Sequence, residues 1–201
     1  MTGSTAGSTA DGLRLAVIIA STRAGRFGPT VADWFTGHAR RRPGLAVETL
    51  DLAEARLPAE LTDLDDPRPE AVRDLAPRLA AADAFAVVTP EYNQSFPAPL
   101  KTCLDWFYEE WRAKPVAVVS YGRESGGALA AAQLRQVFAE LHAVTVRDGV
   151  LLPRYWELFA ADGSWPKPNA ACNTAVATTL DQLTWWARAL REARTERPYT
   201  Y

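Results

Sequence analysis

The stretch LRLAVIIASTRAGRFGP, residues 13–29, decides the fold. Leu13 to Ala20 is a nearly unbroken aliphatic run rich in β-branched residues. It is too short to cross a membrane and has the length of a strand buried on both faces. Ser21 to Phe27 then mixes hydroxyls, glycine and two arginines, and Gly28-Pro29 sets a proline at a first helical position. A loop of this kind between strand and helix suits an anion. Backbone N–H groups at the positive end of the helix, the Ser21 and Thr22 hydroxyls and the Arg23 and Arg26 guanidinium groups can converge on one phosphate. The bland alternative is a strand-to-helix turn with two solvated arginines. The loop has neither the Gly-Lys-Ser/Thr ending of a Walker loop nor G-x-G-x-x-G, which disfavours a nucleoside triphosphate or a Rossmann-bound dinucleotide.

Outward from this stretch, Pro29 to Arg42 carries Val31, Trp34, Phe35 and His38 on one helical face, with His38 at the helix edge. Arg40, Arg41 and Arg42 suit the negative end of that helix. Pro43-Gly44 ends it, Leu45 to Leu52 reads as a second strand, and 53–67 as a loop. Pro69 to Ala82 presents Val72, Leu75 and Leu79 on one side, and Pro77 is expected to kink or divide that helix. Ala84 to Thr89 is a third buried strand. The alternation predicts a parallel sheet with right-handed crossovers and helices on both faces.

Residues 98–111 hold Leu100, Leu104, Trp106, Phe107, Tyr108 and Trp111, which is core packing or an aromatic subunit interface. Val116 to Ser120 reads as the fourth strand. Gly126 to His142 is a helix with Ala130, Leu134, Val137, Phe138 and Leu141 inward and His142 as its cap, and Val144 to Leu152 is the fifth strand. Pro153 to Asn173 is irregular, with Tyr155, Trp156, Phe159 and Trp165 placed to cover a neighbouring subunit's site or to pack at the edge. A helix from Thr174 to Arg194 closes the fold on Val176, Leu180, Leu183, Ala187 and Leu190.

At 201 residues, 48% hydrophobic and 23% charged, the chain fits one folded domain over 13–194, with tails at 1–12 and 195–201. A net charge of −2 and scattered arginines leave no footprint for nucleic acid. The small, polar residues 2–12 do not resemble a secretory signal, so a cytoplasmic protein without a membrane partner is expected. Cys103, Cys172, His38 and His142 show no metal-ligand or triad spacing, and no metal is expected.

The third strand runs into Thr89-Pro90-Glu91-Tyr92-Asn93-Gln94-Ser95-Phe96-Pro97-Ala98-Pro99-Leu100-Lys101, and Asp105-Trp106 follows. With the first loop, this resembles the NADPH-dependent FMN reductase family, a flavodoxin-like group. Its members carry Gly-Ser-x-Arg-x-Gly-Arg and Pro-Glu-Tyr-Asn-x-Ser-x-Pro, then Leu-Lys-Asn and Asp-Trp. Ala20 stands where the family usually has glycine, and Thr102 where it usually has asparagine. The likeness continues through Tyr121-Gly122-Arg123-Glu124-Ser125-Gly126-Gly127, Asp162-Gly163 and Trp185-Trp186-Ala187-Arg188.

The resemblance implies a flavodoxin-like three-layer α/β fold, a five-stranded parallel sheet of order 2-1-3-4-5, with FMN as cofactor and NADPH or NADH as hydride donor. It assigns cofactor binding to Ser21, Arg23, Arg26 and Phe27, to Pro90, Glu91, Tyr92, Asn93 and Ser95, and to Ser120, Tyr121, Gly122 and Gly126. All three loops would follow strand carboxyl ends, where such sheets bind ligands. Pro90 to Asn93 can lie against the flavin ring, and the glycines of the third loop allow close backbone approach to its pyrimidine edge. No side chain is assigned as catalytic, because hydride transfer to flavin needs no protein nucleophile.

The implied activity is a ping-pong NAD(P)H oxidoreductase passing electrons to free flavin, a quinone or another small acceptor. A flavin-dependent monooxygenase receiving reduced FMN is a candidate partner, and a homodimer or homotetramer the expected assembly. Three other readings compete: a flavodoxin-type electron carrier without its own NAD(P)H activity, an FMN enzyme acting on a specialised metabolite, and a flavin-free protein that kept the fold.

Overall fold

The structure, a computed structural model, describes residues 12–63 and 65–200. The expected N-terminal tail lies outside them apart from Gly12. Strands β1 (Leu13–Ile19), β2 (Leu45–Asp51), β3 (Ala84–Pro90) and β4 (Pro115–Gly122) are joined by helices α1 (Gly28–Arg40), α2 (Leu52–Ala55), α3 (Glu70–Ala81) and α4 (Ala98–Trp106). Helix α5 (Ala128–Glu140), strands β5 (Val144–Thr145) and β6 (Val150–Pro153), and helix α6 (Ala170–Glu196) complete the fold. Every pairing is parallel, in the order β2-β1-β3-β4-β5, with β6 also on β4. This is the expected flavodoxin-like sheet. Among the described residues no helix is long and apolar enough to cross a membrane.

Strand alternation sorts the core into two layers. From β1, Leu13, Leu15, Val17 and Ile19 pack on the side of α1 and α6, while Ala16 and Ile18 face the layer of α3, α4 and α5. From β3, Ala84, Ala86 and Val88 join the first layer, and Phe85 and Val87 the second. β3 and β4 are buried along their whole length, which is why their sequences are continuous apolar runs.

Several boundaries differ from the sequence expectation. The loop after β2 begins with the short helix α2, started by the Asp51 side chain accepting from the Ala53 N–H at 3.0 Å. Helix α3 is not divided at Pro77 but runs on to Ala81. The fifth strand is two pieces, because Val146 to Gly149 leaves strand geometry between β5 and β6. Gly149 lies so close to β4 that a Cβ there would sit 2.6 Å from the Val118 carbonyl oxygen. Helix α6 starts earlier than Thr174, at an Asn169 side chain that accepts from the Ala171 and Cys172 N–H groups at 2.9 and 3.2 Å. His142 caps α5 through its backbone, taking φ of 56° just past Leu141 and donating its N–H to the Ala139 carbonyl at 3.1 Å.

Three of the four aromatics at 106–111, Trp106, Phe107 and Trp111, are core, and Tyr108 is exposed. Helix α4 stops at Trp106, and a 3₁₀ turn over Glu109–Trp111 folds the chain inward. Trp106, Phe107 and Trp111 are buried, Trp111 stacks near Phe85 and Phe138, and its Nε1–H donates to the Phe107 carbonyl at 2.6 Å. Other exposed aromatics lie elsewhere, among them Trp156, Trp185 and Trp186. Of the aromatic surface expected there for a subunit contact, Tyr108 alone is exposed.

Candidate FMN-binding site

Parallel β1, β3 and β4 end at one edge of the sheet, and their three following loops surround a cleft of about 440 Å³. That volume is within the usual range for small-molecule sites. Arg23, Gly25, Arg26 and Phe27 form one wall. Pro90, Glu91 and Tyr92 form the floor with Tyr121, Gly122 and Arg123. Tyr155 and Trp156 close the far side.

The first loop delivers an open helix end. Helix α1 begins at Phe27 with no side-chain cap and no acidic residue in its first turn, which leaves N–H donors and a positive dipole end for an anion. Arg23 is exposed on the cleft wall. Arg26 points inward instead: its guanidinium pairs with Asp51 at 2.5 Å and donates to the Ser21 carbonyl at 3.1 Å, bracing the loop against β2. Ser21 is buried beneath the loop, where the Tyr121 hydroxyl donates to its Oγ at 3.4 Å. Burial raises the Tyr121 pKa well above the ordinary phenol value, so this donor stays protonated.

The second loop is a tight reversal. Tyr92 and Ser95 exchange backbone bonds at 2.8 and 2.9 Å, and Asn93 and Gln94 between them take φ of 50° and 66°. Two positive φ values at the centre mark a type I′ turn. The Glu91 N–H donates to the Tyr121 carbonyl at 2.9 Å, extending the β3–β4 ladder to the cleft floor. The Glu91 carboxylate turns toward α5, accepting from Ser125 Oγ at 2.8 Å and from the Leu129 N–H at 3.0 Å.

The third loop is shaped by close approach. Gly126 and Gly127 have φ of 63° and 91°, and a Cβ on Gly127 would fall 2.5 Å from Ser120 Cβ. Ser120 is buried, and its hydroxyl donates to the Gly126 carbonyl at 3.1 Å. Of the residues expected at the site, Ser21, Ser120 and Gly126 are buried behind the cleft surface, Asn93 and Ser95 lie in the turn beside it, and the other eight line it.

Gly25, Arg123, Tyr155 and Trp156 complete the lining without having been assigned to it from sequence. The segment after β6 folds over its own cleft: Tyr155 packs 4.6 Å from Phe27 and 5.1 Å from Tyr121, and Trp165 lies 5.0 Å from Phe27. The Arg154 N–H fixes this segment by donating to the Arg123 carbonyl at 3.0 Å. The density of aromatics between Pro153 and Asn173 was the available signal.

The family model for NADPH-dependent FMN reductase matches residues 13–157, which include all three loops and the aromatic wall through Trp156. The chain belongs to the NADPH-dependent FMN reductase family. It is therefore an enzyme of the FMN-dependent NAD(P)H oxidoreductase kind. An NAD(P)H-dependent FMN reductase of Schizosaccharomyces pombe is 34% identical over 151 residues, covering 70% of this chain and 74% of that protein. A 2-hydroxy-1,4-benzoquinone reductase of a Burkholderia species is 33% identical over 186 residues, covering 89% and 98%. Among solved structures, the flavoenzyme NAD(P)H:(acceptor) oxidoreductase FerB of Paracoccus denitrificans superposes with a TM-score of 0.72 at 27% identity, over 88% of this chain and 98% of that one.

Proposed function

We propose that the cleft holds FMN with its phosphate at the start of α1 and its ring between the second and third loops, and that the enzyme oxidises NADPH or NADH with a flavin or a quinone as acceptor. The observation that carries this is the convergence of three family loops on one cleft of about 440 Å³ at the carboxyl edge of the sheet. The residues fit the group: an uncapped helix end and the exposed Arg23 suit a phosphate, and flat aromatic walls with backbone donors suit a ring. The acceptor class is supported by the relatives, one named for FMN and one for a benzoquinone. Transfer of reduced FMN to a flavin-dependent monooxygenase is the flavin branch of the same reading. Two free cysteines, Cys103 and Cys172, fit work in the reducing cytoplasm.

Bound FMN would supply the redox chemistry, as acceptor of hydride from NADPH or NADH and donor of electrons to the acceptor. The chain's own part is to bind and orient. Arg23 neutralises phosphate charge, and Arg26 keeps the loop in shape through Asp51. Pro90 and Tyr92 present a fixed backbone to the ring, and Gly122 lets the chain approach it closely. Tyr155 and Trp156 narrow the entrance, so a planar donor or acceptor enters along one face. No proton needs to leave a protein group: the Glu91 carboxylate is committed to α5, and burial pushes the Cys103 thiol up to about 12.

The test is to measure bound flavin in the purified protein and then NADPH and NADH oxidation against free FMN and a panel of quinones. Acceptor-dependent oxidation with FMN bound is expected. A protein that takes up no flavin and oxidises neither nucleotide contradicts the proposal.

A further inference from the structure

Helix α5 lacks a side-chain cap from its own N-terminal residues. A residue from another loop takes that place. Glu91 Oε2 accepts from the Leu129 N–H at 3.0 Å and the Ala130 N–H at 3.4 Å, the donors at the second and third helical positions that a capping side chain normally satisfies. Glu91 Oε1 accepts from Ser125 Oγ at 2.8 Å, and the same hydroxyl oxygen accepts from the Gly127 N–H at 3.3 Å. A carboxylate at a helix N-terminus gains from the dipole as well as from the bonds.

One turn further along α5, Gln133 reaches back to the same segment. Its Nε2 donates to the Gln94 carbonyl at 2.8 Å, and its Oε1 accepts from Ser95 Oγ at 2.6 Å. The turn it holds carries two consecutive left-handed residues, of which Gln94 is of a type that rarely adopts this conformation. Both ends of residues 91–95 are thus pinned to one rigid helix, and the helix start is also the end of the third loop.

We propose that Glu91 and Gln133 are positioning residues. Through α5 they lock the Glu91–Ser95 loop and the Gly122–Gly127 loop into a single unit before FMN arrives, so that the gap between the two loops is set in the apo protein. Glu91 then contributes to flavin binding by its backbone and its cap. This rests on the functional reading above. The two side chains come from separate stretches of sequence, and neither touches the other; what joins them is the helix.

The experiment combines amide hydrogen exchange on the apo protein with FMN titration, for wild type, Glu91→Ala, Glu91→Gln and Gln133→Ala. In wild type the amides of Tyr92, Ser95, Leu129 and Ala130 exchange slowly. Gln133→Ala, at an exposed helical position where alanine is well tolerated, speeds exchange at Tyr92 and Ser95 and weakens FMN by about threefold to tenfold, the span of a lost neutral hydrogen bond. Glu91→Ala speeds exchange in both loops and weakens FMN about tenfold or more. Glu91→Gln restores most of the affinity and the wild-type spectrum of bound flavin, because an amide oxygen still accepts from α5.

Affinities within about twofold of wild type in both alanine variants overturn the proposal, since a missing hydrogen bond is worth more than that. Equal damage in Glu91→Gln and Glu91→Ala also overturns it, because the charge would then act on the ligand and not through the cap. If Glu91→Ala does not fold, Gln133→Ala and Glu91→Gln decide alone. A wild-type protein that binds no FMN contradicts the functional reading, while the exchange rates still decide whether α5 braces the loops.

Discussion

Arg23 and Arg26 stand three residues apart in one loop and look alike in sequence, and both line the cleft, yet Arg23 is exposed while Arg26 is held by Asp51 and the Ser21 carbonyl. No spacing rule reveals such a partner 25 residues away, so the division between an exposed and a bracing arginine is visible only in the fold. Gln94 is a second residue whose cost is hidden in sequence. Gln94→Gly creates Asn-Gly, the pair that favours a type I′ turn, and should raise stability by up to about 1 kcal/mol as the left-handed strain is relieved. A lower melting temperature would count against the turn assignment. Cys103 is packed in the core with its thiol pushed up by burial, and His142 lies beyond α5 with Nδ1 2.8 Å from the Tyr199 hydroxyl. Cys103→Ala and His142→Ala should each keep single-turnover flavin reduction within about tenfold, a barrier change near 1.4 kcal/mol. A thousandfold loss in either, with flavin still bound, would require a protein proton donor or nucleophile.

Among the elements, β1, β3 and β4 were legible because strands buried on both faces must be continuous aliphatic runs. What periodicity missed has local physical causes. Helix α4 ends early because the 3₁₀ turn lets Phe107 and Trp111 enter the core, and β5 and β6 separate where Gly149 meets the Val118 carbonyl. Helix α3 has a further device at its far end. The buried Lys114 Nζ donates to the Leu79 and Ala80 carbonyls at 3.0 and 2.8 Å, so the residue just before β4 caps this helix.

Burial, with Arg194 adding, lowers the Lys114 pKa to about 8 against the pull of Asp83 and Glu110. Below about 8 both folded and unfolded chains carry this proton, and the desolvation cost is present in full. Between about 8 and the ordinary lysine value of 10.5 only the unfolded chain keeps it, so the stability this residue contributes rises with pH across that window. The melting-temperature difference between wild type and Lys114→Met should therefore move in favour of wild type from pH 8 to 10. A difference that shrinks over this range contradicts the assignment.

For the molecule as a whole, the strands and the loop motifs were legible because both depend on local sequence, the sheet order followed from the family resemblance those motifs carry, and the topology then brings the three loops to one edge. Contacts between those loops were not legible. The Glu91 cap and the Gln133 clamp join residues 38 and 39 positions apart, and Tyr155 and Trp156 reach the cleft from a segment with no periodicity. We propose that this edge binds FMN by its phosphate at the start of α1. The most direct test is isothermal titration of the apo protein with FMN and with riboflavin, in wild type and Arg23→Ala. FMN should bind far more tightly than riboflavin, and Arg23→Ala should lose about 1.5–3 kcal/mol with FMN, the range of a charge-assisted hydrogen bond, and little with riboflavin. Equal affinity for the two ligands, or an Arg23→Ala protein that binds FMN as wild type does, would contradict it.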